Sequence, residues 1–173
     1  APRPTSRLIA LAQSGDYDGV AFHRIVNGFV IQGGDITEGD GTGGSTLGDF
    51  DDQFHVDLQH NRTGVLSYAK SSDDTNDSQF FITESATRTL DGNHSVAGIL
   101  VEGDKNREAI SNNSTTNPRK VVMNEVDIIT DGTESLEGKL LLTLVADHEL
   151  QPVGRNGRCG LGECARVLDQ DRG

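Results

Sequence analysis

The stretch Val20-Ala21-Phe22-His23-Arg24-Ile25-Val26-Asn27-Gly28-Phe29-Val30-Ile31-Gln32 decides how the rest of the chain is read. Two runs rich in β-branched and aromatic residues, VAFHRIV and FVIQ, flank Asn27-Gly28. Asn-Gly accepts the positive φ angles that a two-residue hairpin turn needs, so the spacing predicts two antiparallel strands. Working outward, residues 5–14 place Leu8, Leu11 and Ala12 on one helical face, with Pro4 in the first turn and Gly15 past the end. Gly33 to Gly48 is a glycine-dense loop. Strands are predicted over 65–70 (VLSYAK), 79–83 (QFFIT), 95–101 (SVAGILV) and 121–129 (VVMNEVDII), and a short helix over 104–113. Leu140–Ala146 could form a strand, and residues 154–173 show no clean period. Short strands, polar loops and two helices point to an antiparallel barrel or sandwich.

The chain has 173 residues and a mass of 18.5 kDa, enough for one domain, or one domain and a tail. Hydrophobic residues make up 34% and Trp is absent, a lean but sufficient supply for a compact core. The longest largely apolar run, Leu140–Ala146, is far shorter than the roughly 18–20 residues of a membrane-spanning helix. No secretion signal opens the chain, although it begins at Ala1 rather than Met, which leaves room for a natural start upstream.

Asp and Glu number 27 against 15 Lys and Arg, a formal net charge of −12. No basic stripe is available to neutralise phosphates, and an anionic membrane would repel the chain. Among the cations only Lys70, Lys105, Lys120 and Lys139 are lysines. An acidic, lysine-poor surface repels itself at low salt and is screened at about 1 M, where the Debye length falls to about 3 Å. The composition therefore fits a salt-adapted cytoplasmic protein, with an ordinary acidic cytosolic protein as the alternative.

Several motifs fail on inspection. Gly39-Asp-Gly-Thr-Gly-Gly44 matches the dinucleotide string G-x-G-x-x-G, but the acids Asp40, Asp49, Asp51 and Asp52 in and after it would repel a phosphate. Cys159 and Cys164 cannot close a zinc site alone and suit a local disulfide, free thiols or an unimportant tail feature. His23, His55 and His60 show no metal-ligand spacing and read as solvated or hydrogen-bonded side chains. Asn61-Arg-Thr63 and Asn93-His-Ser95 read as chance glycosylation strings. Ser67 and Ser78 lie near histidines in sequence only, and neither sits in a nucleophile elbow. If the chain is an enzyme, its chemistry is of a kind that needs no nucleophile, and no metal or cofactor is expected.

Three segments carry more information together: Phe22-His23-Arg24-Ile25-Val26-Asn27-Gly28-Phe29-Val30-Ile31-Gln32-Gly33-Gly34-Asp35; Gly64–Ala69 followed by Thr75–Thr83; and Leu90-Asp91-Gly92-Asn93-His94-Ser95-Val96-Ala97-Gly98 running to Gly103. From Ala1 to about Asp131 their order and spacing resemble the cyclophilins, a family of peptidyl-prolyl cis-trans isomerases. The resemblance implies a mainly β fold, an eight-stranded antiparallel barrel with two helices and a peptide groove on its outer face. It divides the chain into an isomerase domain over 1–132 and a C-terminal extension over 133–173. Position by position it implies that Arg24 is the catalytic arginine, that Gln32 holds it and contacts the substrate backbone, and that His94 closes the pocket. Phe29, Val30, Phe81 and Leu90 would line the proline pocket, and Ala69 and Lys70 would form the strand edge that binds peptide backbone.

The chain departs from the family pattern in places. Val30 replaces a usual Met, a mild change. Thr89 stands where an aromatic is usual, which should weaken the family's large cyclic peptide inhibitor more than turnover. Lys70 replaces an Asn, with little effect if the contact is through backbone. Family members also carry about 25 residues before the first helix, the first two barrel strands, which this chain lacks; a truncated or mis-started sequence would explain it. Leu140–Ala146 is then a candidate to cover an edge. The expected partners are proline-containing peptides and unfolded proteins, met by a monomer. The competing expectations are a non-catalytic proline-peptide binding or chaperone-like module, and a chain too short to fold alone.

Without the resemblance, Phe22, Ile25 and Phe80 read as core, and Phe29 and Phe81 would too. Arg24 would be a solvent-side strand charge, Gln32 a loop cap and His94 a surface residue.

Overall fold

The computed structural model describes residues 2–113, 121–130, 138–146 and 165–168. Helix α1 spans Pro2–Gln13 and is followed by β1 (Val20–Ala21), β2 (Arg24–Val26) and β3 (Val30–Gly33). Next come β4 (Val65–Tyr68), β5 (Phe80–Thr83), a 3-10 turn at Arg88–Leu90, and β6 (Val96–Glu102). Helix α2 (Asp104–Asn113), β7 (Val121–Thr130), β8 (Gly138–Ala146) and β9 (Ala165–Leu168) complete the described chain.

The strands form one sheet in the order β1-β7-β8-β9-β6-β4-β5-β3-β2, and every pairing is antiparallel. The hairpin expected at Asn27-Gly28 is present: Arg24 pairs with Gln32 and Val26 with Val30. The single strand expected over Val20–Val26 is split in two. Phe22 turns its ring wholly into the core and donates its N–H to Val121 O at 2.9 Å, so the chain leaves β7 there and joins β3 two residues later. The two ends of the sheet order are thus joined by residues 22–23 alone. Three Cα steps span at most about 11 Å, so the sheet curls until its ends nearly meet. No ladder joins β1 to β2 among the described residues.

Two strands come from the region after residue 132. β8 pairs with β7 from Val121↔Ala146 to Thr130↔Gly138, and β9 bridges β8 to β6. The expected strand over Leu140–Ala146 is therefore present and covers an edge of β7; β9 lies in the stretch that shows no period. Cys159 and Cys164 fall outside the described residues.

The core is built as the alternation dictates. Leu8, Leu11 and Ala12 of α1 are buried against β6 and β7. Tyr68 Oη donates to Pro4 O at 3.0 Å, which ties the helix to β4. Phe80 packs edge-on to Tyr17 and Phe22, with ring centroids 5.5 and 6.3 Å away. Gly34 passes so close beneath Phe80 that a Cβ there would lie 2.8 Å from its ring and 2.6 Å from Ser78 O, and its φ of +81° also favours glycine.

Candidate active site

Directly opposed residues in antiparallel strands point to the same face. Arg24 opposes Gln32, Gln32 opposes Phe81, and Phe81 opposes Ser67, so one row crosses β2, β3, β5 and β4. The next row, Ile25–Ile31–Ile82–Leu66, faces the core. The site row runs from water inward: Arg24 is exposed, Gln32 half-buried, and Phe81 and Ser67 buried.

At the open end Arg24 Nη1 donates to Gln32 Oε1 at 3.3 Å. Gln32 Nε2 donates to Gln79 Oε1 at 3.1 Å. Gln79 Nε2 in turn donates to the backbone oxygens of Gly41 and Gly43 at 2.9 and 2.8 Å.

At the closed end Phe81 sits between two imidazoles. His94 meets it edge-on at 5.3 Å, and His60 stacks on it at 5.9 Å with planes 25° apart. His94 Nδ1 lies 2.9 Å from Tyr68 O, which can only accept, so Nδ1 carries a proton. Burial pushes the His94 pKa down and the Tyr68 carbonyl opposes it, with a net lowering that keeps the ring neutral near pH 7 and Nε2 its acceptor. Burial likewise lowers the His60 pKa against the opposing pull of Asp91.

The expectation that Ser67 meets histidine only in sequence is corrected here. His60 Nε2 lies 3.0 Å from Ser67 Oγ, and its Nδ1 lies 3.2 Å from Asp91 Oδ1. The connectivity is that of a Ser-His-Asp triad, but Ser67 and His60 are wholly buried, and Ser67 Oγ is also within 2.8 Å of Ser95 O. No substrate carbonyl reaches that hydroxyl. The network props Phe81 from behind.

The flanking residues lie as follows. Val30 shares the face of Gln32, opposes Val26 and Thr83, and is only 2% exposed. Phe29 is half-buried in the hairpin turn, its carbonyl accepting Glu84 N–H at 2.8 Å. Leu90 ends the 3-10 turn and accepts His94 N–H at 3.1 Å, which joins it to the closed end. Ala69 N–H donates to Gln79 O at 3.0 Å. Lys70 does more than present backbone: its side chain is 5% exposed, its ammonium pairs with Asp52 and Asp73, and it lies 5.8 Å above the Phe54 ring. Burial would lower the Lys70 pKa, yet the two carboxylates raise it. Thr89 is exposed.

Arg24, Gln32, Phe81 and His94 are thus linked by register, hydrogen bond and ring contact, while Phe29 and Lys70 make their described contacts outside that chain. Sequence reasoning gave Gln79, Asp91 and Asp35 no role in the site, and read His60 only as a solvated or hydrogen-bonded side chain. Gln79 was within reach, since period-2 alternation puts it on the face of Phe81. The pairing of His60 with Asp91 spans 31 residues and leaves no local signature.

A guanidinium on a tethered amide, ending at an aromatic wall, sets a fixed donor and an apolar surface along one row of the sheet. The sequence profile described as cyclophilin type peptidyl-prolyl cis-trans isomerase/CLD matches residues 1–132. The chain belongs to this family. It is 50% identical over 105 residues to the peptidyl-prolyl cis-trans isomerase ppi1 of Schizosaccharomyces pombe, covering 60% of this chain and 67% of that one. It is 43% identical over 105 residues to the human peptidyl-prolyl cis-trans isomerase-like 1, covering 60% of this chain and 63% of the relative. Among solved structures, a Cryptosporidium parvum cyclophilin type peptidyl-prolyl cis-trans isomerase, crystallised in the presence of the dipeptide Ala-Pro, superposes with a TM-score of 0.64 at 36% identity, covering 68% of this chain and 77% of that one. The chain spans about two thirds of the length of these curated relatives.

Proposed function

We propose that this chain catalyses cis-trans rotation about X–Pro bonds in peptides and unfolded proteins and so assists folding. The observation that carries the reading is the row from Arg24 through Gln32 to Phe81, closed by His94. Resonance gives the C–N bond partial double-bond character and a barrier of about 18–20 kcal/mol. No covalent bond breaks during rotation, so the catalyst needs only to favour the twisted amide, whose nitrogen is pyramidal and holds a localised lone pair. Arg24 stays charged at any working pH and can donate to that nitrogen or to the carbonyl oxygen. Its contact lowers the barrier only if it is stronger in the twisted state than in either planar one. Phe81 holds the pyrrolidine ring while the preceding carbonyl swings and excludes water from the guanidinium's field, with Phe29, Val30 and Leu90 as the further pocket residues that the family resemblance implies.

The curled sheet supports reading the fold as a cyclophilin barrel in which β8 and β9 stand between β7 and β6. The acidic, lysine-poor composition supports a salt-rich cytoplasm. A melt that rises between 0.1 and 1 M salt tests that part, and one that falls discards it.

The deciding experiment is a proline-isomerisation assay in high salt. Arg24→Ala should lower kcat/KM by about 10²-fold, the scale seen when one transition-state donor is removed. An unchanged rate overturns the assignment of Arg24. The exposed Thr89 favours a second reading, a binding module without turnover. Peptide affinity without exchange between cis and trans NMR signals would establish it.

A further inference from the structure

Gly39-Asp-Gly-Thr-Gly-Gly44, the string that matches a phosphate-binding fingerprint, does wrap an anion, and the anion is the chain's own. Asp35 is 2% exposed. Its Oδ1 accepts N–H groups from Thr37 and Glu38 at 3.3 and 3.0 Å. Its Oδ2 accepts from Asp40, Gly41 and Gly43 at 3.1, 2.7 and 3.1 Å. Burial alone would raise the Asp35 pKa, but the backbone donors outweigh it and hold the carboxyl well below the usual carboxylate range. Gly43 is a glycine for the same reason: a Cβ there would overlap Asp35 Oδ1 and Thr37 Oγ1.

The caged loop has a second role. With its N–H groups turned inward onto Asp35, the loop presents the carbonyls of Gly41 and Gly43 to Gln79. A side-chain amide can flip its oxygen and nitrogen, whereas a backbone carbonyl can only accept. Two carbonyl acceptors oblige Gln79 to turn its NH₂ toward the loop, so its Oε1 faces Gln32. Gln32 must then offer Nε2 to Gln79, which leaves Oε1 for the guanidinium. With Gln79 reversed, its NH₂ would face the Gln32 NH₂, and with Gln32 reversed, Gln32 would meet Arg24 with an N–H group, donor against donor in both cases. The donor-only guanidinium at one end and the acceptor-only loop carbonyls at the other require the same direction of the chain.

We propose that Asp35 is a positioning residue for Arg24, acting through the carbonyls of Gly41 and Gly43 and the amides of Gln79 and Gln32. This rests on the isomerase reading for its effect on rate, though not for its geometry. The carboxylate makes no contact with substrate. It shapes the loop whose carbonyls orient Gln79.

The test is a double-mutant cycle with Asp35→Asn and Gln79→Ala, read as kcat and KM in the isomerisation assay and as the Arg24 Nε–H NMR signal in the same full-length protein. Each single variant should lower kcat about tenfold, since small misplacement of a catalytic group costs up to about 10²-fold. KM should stay within twofold, because the guanidinium is used in the twisted state. The double variant should be no slower than Gln79→Ala alone, and both singles should shift the Arg24 signal. A purely structural role would instead lower the folded fraction and leave kcat per folded molecule intact. Multiplicative effects, or a folded Asp35→Asn protein with unchanged kcat and Arg24 signal, overturn the proposal. If Asp35→Asn fails to fold, Gly43→Ala, which displaces the same cage, takes its place in the cycle under the same criteria. If the parent protein shows no isomerisation, the isomerase reading fails and the Arg24 signal alone decides: movement in both variants supports the relay, and no movement overturns it.

Discussion

Phe80 and Phe81 are adjacent in sequence and only 1% and 4% exposed, yet they belong to different faces of the same four strands. Phe80 points into the apolar core, where it meets Tyr17 and Phe22 edge-on. Phe81 points to the row that starts at Arg24, and it touches His60 and His94 instead. Burial alone does not separate the two residues. What separates them is the company each keeps: hydrocarbon on one face, and imidazoles, amides and a guanidinium on the other. The core face is held by packing that many apolar residues could approximate, whereas the site face is held by directed hydrogen bonds that fail if one partner is reversed.

The largest effects should come from the pair itself. Phe80→Ala should cost about 3–5 kcal/mol of stability, a large part of the roughly 5–15 kcal/mol that holds a domain together. Its kcat/KM per folded molecule should stay within about threefold, since no site residue loses a partner. Phe81→Ala should lower kcat/KM per folded molecule by about tenfold or more, through the lost pocket wall and the freed imidazoles. Urea titration beside the isomerisation assay separates the two quantities. Equal losses of rate per folded molecule would erase the distinction between the faces.

The same distinction explains what the sequence discloses. Alternation and Asn27-Gly28 suffice for the β2–β3 hairpin and the core row, because period and turn chemistry are local. Leu8, Leu11 and Ala12 are legible for the same reason. The family motif places Arg24, Gln32, Phe81 and His94, but the motif does not say what holds them. Asp35 meets Gly43 across eight residues, Gln79 meets Gly41 across 38, and His60 meets Asp91 across 31. Such contacts depend on where loops close, and no periodicity records that. The division of Val20–Val26 into two strands is hidden for a related reason, since only the curl of the sheet, with β1 on β7 and β2 on β3, requires the chain to turn at Phe22.

An acid titration sharpens the comparison from the polar side. The folded pKa of His60 lies below its ordinary 6.5, so on acidification the unfolded chain takes up that proton first. Its contribution is complete above about pH 6.5 and is lost progressively as pH falls toward the folded value. His94 acts in the same direction. Asp35, Asp52 and Asp91 are also lowered in the fold, and their contribution is present above about pH 4 and lost as pH drops further toward their folded values. The melting temperature should therefore fall in two stages, the first setting in below about pH 6.5 and the second below about pH 4. His60→Gln should shrink the first stage and leave the second. A wild-type melting temperature that is flat from pH 7 to 5 would show that the buried imidazoles are not held neutral.

The smallest effect concerns the open side of the groove. Thr89 is exposed in the 3-10 turn, one residue before Leu90, whose carbonyl holds the His94 N–H at 3.1 Å. Thr89→Trp would set an indole beside that wall, and a Trp side chain offers roughly 150–250 Å² for contact. Only part of it would be covered, because the turn is open to water. A gain of about 1 kcal/mol, or about fivefold in affinity for a proline peptide, is the scale to expect. An added apolar wall grips the planar and twisted amides alike, so it should lower KM and leave kcat within about twofold. On the proposed reading Arg24 discriminates between those states and an indole at position 89 does not. A Thr89→Trp protein with raised kcat and unchanged KM would mean that the wall, and not only the guanidinium, favours the twisted bond, and the division between a discriminating open end and a merely gripping pocket would have to be redrawn.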